Sequence, residues 1–255
     1  MTISTLFDLH GATALVTGAS RGLGAAATEI LAEAGANVVL IGREMETLRA
    51  QEKRLSARGV GTLPVVCDMG RQDDITRAVA ESRERFGAID ILVNNAGIIR
   101  RGAAESYTME DWNEVIGVNL TGPFMLAQEV GREMIARGRG KIINIASLLS
   151  FSGGLNVIGY TASKSGVAGI TRAMANEWAR HGVNVNGIAP GYFRTEATAA
   201  LQQNPERYNA LLARIPAGRW GEPDDLKGTI LFLASRASDY VNGAIIPVDG
   251  GWMAA

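Results

Sequence analysis

The chain has 255 residues, 47% of them hydrophobic and 20% charged, and a formal net charge of −1. That balance suits a globular protein with an ample core, and the near-neutral charge without a basic run argues against nucleic acid or an anionic membrane as partner. A single cysteine, Cys67, and two histidines, His10 and His181, exclude an internal disulfide and a cysteine- or histidine-rich metal centre, so no metal is expected. The longest apolar runs are strand-length, and residues 1–11 lack the basic and apolar regions of a signal peptide, so a reducing cytoplasm is the expected location.

In chain order, strands are predicted at Thr13–Thr17, Asn37–Ile41, Leu63–Cys67, Ile89–Val93, Lys141–Ala146, Val183–Ala189 and Ala244–Val248. Between them lie predicted helices near 22–34, 44–57, 71–86, 109–136, 158–180 and 223–235. Most of the strands are apolar on both faces, as buried parallel strands must be. Thr108 and Asp111 fit a capping box at the start of the fourth helix, and Pro223 opens the last where a missing N–H costs nothing. Regular β-α alternation predicts one α/β domain over 1–255: a doubly wound parallel sheet of about seven strands, a Rossmann fold, with helices on both faces. The one long irregular stretch, Pro190 to Gly221, is expected to form a substrate lid near 191–221 carrying a short helix.

The first strand runs into Thr17-Gly18-Ala19-Ser20-Arg21-Gly22-Leu23-Gly24 and then a helix. Glycines let backbone approach a pyrophosphate, and the helix N-terminus offers free N–H groups and a positive dipole end. The spacing G-x-x-x-G-x-G differs from the G-x-G-x-x-G fingerprint, and no Gly-Lys-Ser/Thr follows as in a Walker loop. Further along, Tyr160 and Lys164 are four residues apart, on one face of a helix. A phenol titrates near ~10, and a nearby ammonium favours the phenolate. Lowering the phenol by ~3 units needs ~4 kcal/mol of differential stabilisation. The pair therefore reads as an acid/base that moves a proton on and off an alcohol oxygen.

Gly18/Gly22/Gly24, Asn94-Asn95-Ala96-Gly97, Asn119, Ser147, Tyr160, Lys164 and Pro190-Gly191 together resemble the short-chain dehydrogenase/reductase family, from Gly11 to Trp252. The resemblance implies Tyr160 as catalytic acid/base and Ser147 as hydrogen-bond donor to the substrate oxygen. It implies Lys164 as a ligand of the nicotinamide ribose that also lowers the Tyr160 pKa, and Asn119 as support for a water linking Lys164 to solvent. It further implies a cofactor site of Gly18, Ser20, Arg21, Gly22, Leu23, Gly24, Arg43, Asp68, Asn95, Ala96, Gly97, Tyr160, Lys164, Pro190, Gly191 and Thr195.

An acidic residue ending the second strand would accept from an adenosine ribose and repel a 2′-phosphate. Here Gly42 stands in that place, Arg43 follows, and Arg21 lies in the glycine loop. Two guanidiniums favour a phosphomonoester, so NADP(H) is expected over NAD(H). Several segments, among them 94–101, 145–151, 174–178 and 215–221, resemble sugar-acid dehydrogenases of the gluconate 5-dehydrogenase and 2-deoxygluconate or 2-keto-3-deoxygluconate type. The expected activity is alcohol–ketone interconversion on a small sugar acid, with Ser147 and Tyr160 at the reacting centre. Arg101, alone or with Arg100, would grip its carboxylate; Arg219 and Trp220 would contact substrate or cap the lid. The alternatives are a 3-oxoacyl-carrier-protein reductase, whose basic carrier-docking patch the loosely placed Arg132, Arg137, Arg139 and Lys141 do not establish, and a non-catalytic nucleotide-binding regulator, which would show a broken Ser/Tyr/Lys set where this one is intact. The resemblance also implies a homotetramer, through the helices near 109–136 and 158–180 and the tail from Val248 to Ala255.

Overall fold

Runs too short for a stable helix and apolar on both sides bury best as strands; all seven predicted runs form one sheet, five of them inside it and the third and seventh at its partly exposed edges. In this computed structural model, which describes residues 2–255, they are β1 Thr13–Thr17, β2 Asn37–Gly42, β3 Thr62–Val66, β4 Ile91–Asn94, β5 Gly140–Ile145, β6 Val183–Pro190 and β7 Ile245–Val248. They pair in parallel in the order β3-β2-β1-β4-β5-β6-β7. The chain begins in the middle of the sheet, builds to one edge, then crosses back beside β1. The crevice between β1 and β4 is thus the switch point where open α/β sheets bind ligands.

The helices are α1 Ile3–Leu6, α2 Gly22–Glu33, α3 Met45–Leu55, α4 Gln72–Phe86, α5 Met109–Ile116, α6 Gly122–Arg137, α7 Ile158–Trp178, α8 Ala199–Gln202, α9 Pro205–Leu212 and α10 Lys227–Ala234. Successive residues of β1 alternate between two cores. Ala14 and Val16 pack with Ala27 and Leu31 of α2, Leu48 of α3 and Ile230 of α10. Leu15 packs on the other face with Val79 of α4, Val130 of α6 and Met174 of α7. The sheet is therefore wound on both faces, as the alternation in sequence predicts.

Three details depart from the sequence reading. The predicted helix 109–136 is two helices, α5 and α6, joined by a π-helical turn at Gly117–Thr121. The apolar periodicity runs on through it, which is why the sequence shows one element. The Thr108 side chain accepts from the Asp111 amide, but Asp111 returns its carboxylate to the Thr108 hydroxyl, so the cap is one-sided. The last helix opens with a 3-10 turn, Pro223–Leu226, before α10. Among the described residues no helix is long and apolar enough to cross a membrane.

The joint between β1 and α2 is the tightest in the fold. Gly18 has φ +64°, and a Cβ on Gly24 would lie 2.0 Å from the Gly18 carbonyl oxygen. Backbone cannot yield as a side chain can. Gly24→Ala is therefore expected to cost at least the ~1–3 kcal/mol of an overpacked core, read as a fall of several degrees in Tm, and to weaken nucleotide binding. Gly228→Ala, in open space on α10, is expected to leave Tm unchanged or raise it slightly.

Candidate active site

Parallel register brings the carboxyl ends of the central strands to a common edge: Thr17 pairs with Ile41, Asn94 with Asn144, Ile145 with Ile188. Hydrogen bonds between the loops then stitch that edge together. The Thr17 hydroxyl accepts from the Asn95 and Ala96 amides at 2.9 and 3.0 Å, and the Asn95 side chain donates to the Thr17 and Gly18 carbonyls. The Ala19 amide donates to the Ile41 carbonyl at 3.0 Å, tying the glycine loop to β2. Thr17 read as an ordinary strand residue in sequence; only the crossover of β4 makes it a hub.

Above this edge opens a cleft of about 500 Å³. Every sequence-predicted cofactor residue except Gly24 lines it: Gly18, Ser20, Arg21, Gly22, Leu23, Arg43, Asp68, Asn95, Ala96, Gly97, Tyr160, Lys164, Pro190, Gly191 and Thr195. Gly24 lies beneath, where its missing Cβ permits the approach of α2 to Gly18. Of the Asn94–Gly97 motif, Asn94 instead braces the sheet. It donates to Asn144 at 2.9 Å, which donates to Thr171 of α7 at 2.9 Å. The sequence reading missed the apolar walls Ile41, Met69, Val118 and Phe193. They carry no signal beyond that of core residues. Cys67 also lines the cleft, but burial pushes its thiol up to about 12, so it stays protonated.

The cleft suits a dinucleotide. No side chain caps the first turn of α2, which leaves its N–H groups free for a pyrophosphate. At the far end Gly42, Arg43 and Thr47 line the wall, and among the described residues Arg43 makes no ion pair. Arg21, expected to share that role, is instead paired with Glu196 of the lid at 2.6 Å. Asp68 spends one carboxylate oxygen on the Gly70 amide, shaping the turn after β3.

The reacting groups converge from β5 and α7. Ser147 follows β5 and caps a 3-10 turn, its hydroxyl accepting from the Leu149 amide at 3.2 Å. Ser150, unforeseen in the sequence, accepts from the Ser147 amide at 3.3 Å and donates to the Lys164 carbonyl at 2.7 Å, binding that turn to α7. Tyr160 is half-buried in the cleft; burial raises its phenol, and a hydrogen bond with Ser147 partly offsets this. The expected depression by Lys164 is not what the chain alone provides. The Lys164 ammonium lies 5.7 Å from the Tyr160 ring centroid and donates to the Ile145 carbonyl at 2.6 Å. Lys164 is only 4% exposed, and burial lowers it to about 8. An ammonium has three donors, so two remain for a ligand.

Asn119 sits in the π-helical turn and lies behind the cleft. Its side chain accepts from the Ile98 amide at 2.8 Å and donates to the Ile98 carbonyl at 2.9 Å and to Ser163 at 3.2 Å. It thereby clamps the loop after β4 at the residue next to Gly97. Of the two candidate carboxylate-binding arginines only Arg101 is left without a carboxylate partner among the described residues. Arg100 is held bidentately by Glu114, with both bonds at 2.7 Å, whereas Arg101 is exposed just outside the cleft. Arg219 is paired with Asp225, and Trp220 is fully buried against Tyr208, so both build the lid. The four candidate carrier-docking cations each face a carboxylate: Arg132 with Glu129, Arg137 and Arg139 with Asp90, Lys141 with Asp239.

Residues 18–253 match the family model described as enoyl-(acyl carrier protein) reductase. The chain is 49% identical over 255 residues to the 2-dehydro-3-deoxy-D-gluconate 5-dehydrogenase of Escherichia coli, covering 99% of each chain. It is 46% identical over 246 residues to the gluconate 5-dehydrogenase of Gluconobacter oxydans, covering 96% of each. The crystal structure of a gluconate 5-dehydrogenase from Burkholderia cenocepacia in complex with NADP and tartrate superposes with a TM-score of 0.95, at 44% identity and over 100% of both chains.

A buried ammonium held by one carbonyl destabilises the fold that contains it. An ordinary lysine titrates at 10.5 and Lys164 at about 8, which corresponds to about 3 kcal/mol at neutral pH. The penalty is fully present below pH 8, where folded and unfolded chains both carry the charge. It is relieved as pH rises from about 8 to 10.5, where only the unfolded chain holds the proton. Lys164→Met is therefore expected to raise the Tm of the cofactor-free protein at pH 7, with the gain shrinking toward pH 10, while abolishing turnover. Thermal melts across that range check it, and an unchanged or lower Tm at pH 7 contradicts it.

Proposed function

Because the chain belongs to the short-chain dehydrogenase/reductase family, we propose that it is an NAD(P)-dependent oxidoreductase. It interconverts a secondary alcohol and a ketone on a small sugar acid of the gluconate, 2-deoxygluconate or 2-keto-3-deoxygluconate type. The observation that carries this reading is the meeting of Ser147, Tyr160 and Lys164 in one cleft whose other wall is the glycine loop. The names of relatives 46–49% identical over nearly the whole chain support the sugar-acid class.

When bound, the nicotinamide cofactor supplies or accepts the hydride. In the reducing direction negative charge grows on the substrate oxygen, and the Ser147 and Tyr160 hydroxyls are the donors that meet it. Tyr160 then delivers its proton; in oxidation it takes one up. The phenol raised by burial stays protonated at neutral pH, which suits it to act as the acid in carbonyl reduction. Lys164 would use its two spare N–H groups on the ribose hydroxyls, and Asn119 and Ser150 keep the loop at Ile98 and the Ser147 turn in place. Gly18, Gly22, Leu23 and Gly97 give the pyrophosphate and nicotinamide room, and Arg101 is the substrate-facing cation.

NADP(H) is the preferred cofactor, supported by Gly42 in place of an acid and by the unpaired Arg43 on the cleft wall. The working assembly is a cytoplasmic homotetramer, supported by the exposed Met109, Phe124 and Met253 on α5, α6 and the tail. The acyl-carrier reading has no docking patch to support it, since Arg132, Arg137, Arg139 and Lys141 each face a carboxylate.

Tyr160→Phe keeps the ring and removes the phenolic oxygen. Turnover is expected to fall by ~10³-fold, within the ~10²–10⁴ expected of a general acid, with cofactor affinity nearly unchanged; retention of a tenth of the rate sinks the assignment. Arg43→Asp replaces a phosphate partner with a ribose acceptor. Its kcat/KM with NADP(H) is expected to drop steeply and that with NAD(H) to hold or rise. A wild type that already favours NAD(H) removes Arg43 from the site.

A further inference from the structure

The first turn of α7 carries Tyr160, and no side chain caps it. Its start is tied instead to the loop after β4. The Gly102 amide donates to the Asn156 carbonyl at 3.0 Å, and Gly102 pairs with Val157, the residue that precedes the helix. Asn156 turns the chain there with φ +58°, the one non-glycine residue with positive φ among those described, and asparagine tolerates that region better than most side chains. Ile98 and Ile99 of the loop after β4 line the cleft. The bridge at Gly102 therefore joins a cleft wall to the base of the helix that presents Tyr160.

Tyr107, from the turn before α5, packs against both sides of this joint. A Cβ on Gly102 would lie 3.1 Å from its Cδ2. One on Gly159 would lie 2.8 Å from its hydroxyl oxygen and 3.1 Å from its Cε1. The half-buried ring thus occupies the space that side chains at 102 and 159 would take, and Gly159 immediately precedes Tyr160. Its hydroxyl reaches the Arg100 carbonyl only at 3.4 Å, so the ring makes the closer fit. A glycine in a helix costs about 0.5–1 kcal/mol against alanine; at 159 it admits the ring.

We propose that Tyr107 is a positioning residue: its ring, seated on Gly102 and Gly159, sets how far Tyr160 stands from the loop after β4. This rests on the reading of Tyr160 as the acid/base. Proton transfer needs the phenol within hydrogen-bond reach of the substrate oxygen, and a displacement of ~1 Å is enough to cost ~10²-fold in rate. Tyr107 does not line the cleft, so it acts through Tyr160 and not on the substrate. Lys164 is held separately, by the Ile145 carbonyl and through Ser150, so cofactor binding does not depend on the ring.

The test measures kcat and KM for NADPH-dependent reduction of 5-keto-D-gluconate and of 2,3-butanedione, the NADPH Kd by fluorescence, and Tm. It compares wild type with Tyr107→Ala, Tyr107→Phe, Gly159→Ala and Tyr107→Phe/Gly159→Ala. Tyr107→Ala is expected to lower kcat by about 10- to 100-fold, with KM and the NADPH Kd within about twofold. Tyr107→Phe keeps the ring and is expected to stay near the wild-type rate. Gly159→Ala is expected to lower kcat by about 10-fold, and adding Tyr107→Phe to restore most of the loss, because it removes the atom nearest the new methyl. Rates are read well below Tm, where a merely structural role lowers Tm and leaves kcat alone. A Tyr107→Ala kcat within about twofold of wild type overturns the proposal, as does a Tyr107→Phe as slow as Tyr107→Ala. If Tyr107→Ala does not fold, the glycine pair decides: no loss in Gly159→Ala, or a loss that Tyr107→Phe fails to relieve, overturns it equally. Tyr160→Phe, assayed alongside, separates the two readings. If Tyr160→Phe keeps its rate, the acid/base reading falls; if it alone loses its rate, only the positioning role falls. A wild type that reduces neither substrate removes both.

Discussion

The alignment of parallel strand ends at one edge of the sheet is the constraint on which the rest of the molecule depends. Parallel pairing in register leaves the carboxyl ends of β1, β4, β5 and β6 side by side, with backbone groups that no further strand residue can satisfy. The loops must therefore satisfy one another. Thr17, Asn95 and Ala19 do this by hydrogen-bonding across β1, β4 and β2. The cleft is a consequence: the loops that meet these backbone groups leave a glycine-lined hollow, and the side chains that follow each strand look into it.

Function is placed against stability at α7. Lys164 is buried with a single carbonyl partner, Ile145, and its charge is disfavoured there. The fold tolerates it because the helix is fixed elsewhere. The chain Asn94–Asn144–Thr171 joins two central strands to α7, and Ser150 joins the Ser147 turn to the same helix. These buried links hold the helix in one register, although the Asn94 side-chain oxygen is itself buried without a partner. Tyr160, Lys164 and Ser147 are then presented together on the cleft wall.

The lid follows a different logic. Its core is small and aromatic, built from Tyr192, Tyr208, Trp220 and Trp252, and it touches the glycine loop through the ion pair of Arg21 with Glu196. Both of those side chains are largely exposed, and exposed pairs contribute little to stability. The segment is also anchored by Phe193 in the core beside α2, by the Ala217 amide on the Gly250 carbonyl and by Arg219 on Asp225, so several contacts besides the solvated pair hold it beside the cleft.

The strands, their parallel pairing and the placing of Tyr160 and Lys164 on one face of α7 were legible in the sequence, because hydrophobic period and i, i+4 spacing are local properties. Fifteen of the sixteen predicted cofactor residues line the cleft, most of them because they follow a strand end or open a helix. Four things were not legible. The period of α5–α6 hides the π-helical turn that turns Asn119 inward. The spending of Arg100 on Glu114 and of Arg21 on Glu196 depends on residues 14 and 175 positions away. The hub at Thr17 exists only because β4 crosses beside β1. The Tyr160 phenol depends on how deeply α7 buries it, not on its distance in sequence from Lys164. Local chemistry is written in neighbouring residues; which charges are free, and which groups are dry, is settled only when distant segments pack, because desolvation and ion pairing are properties of surroundings rather than of sequence.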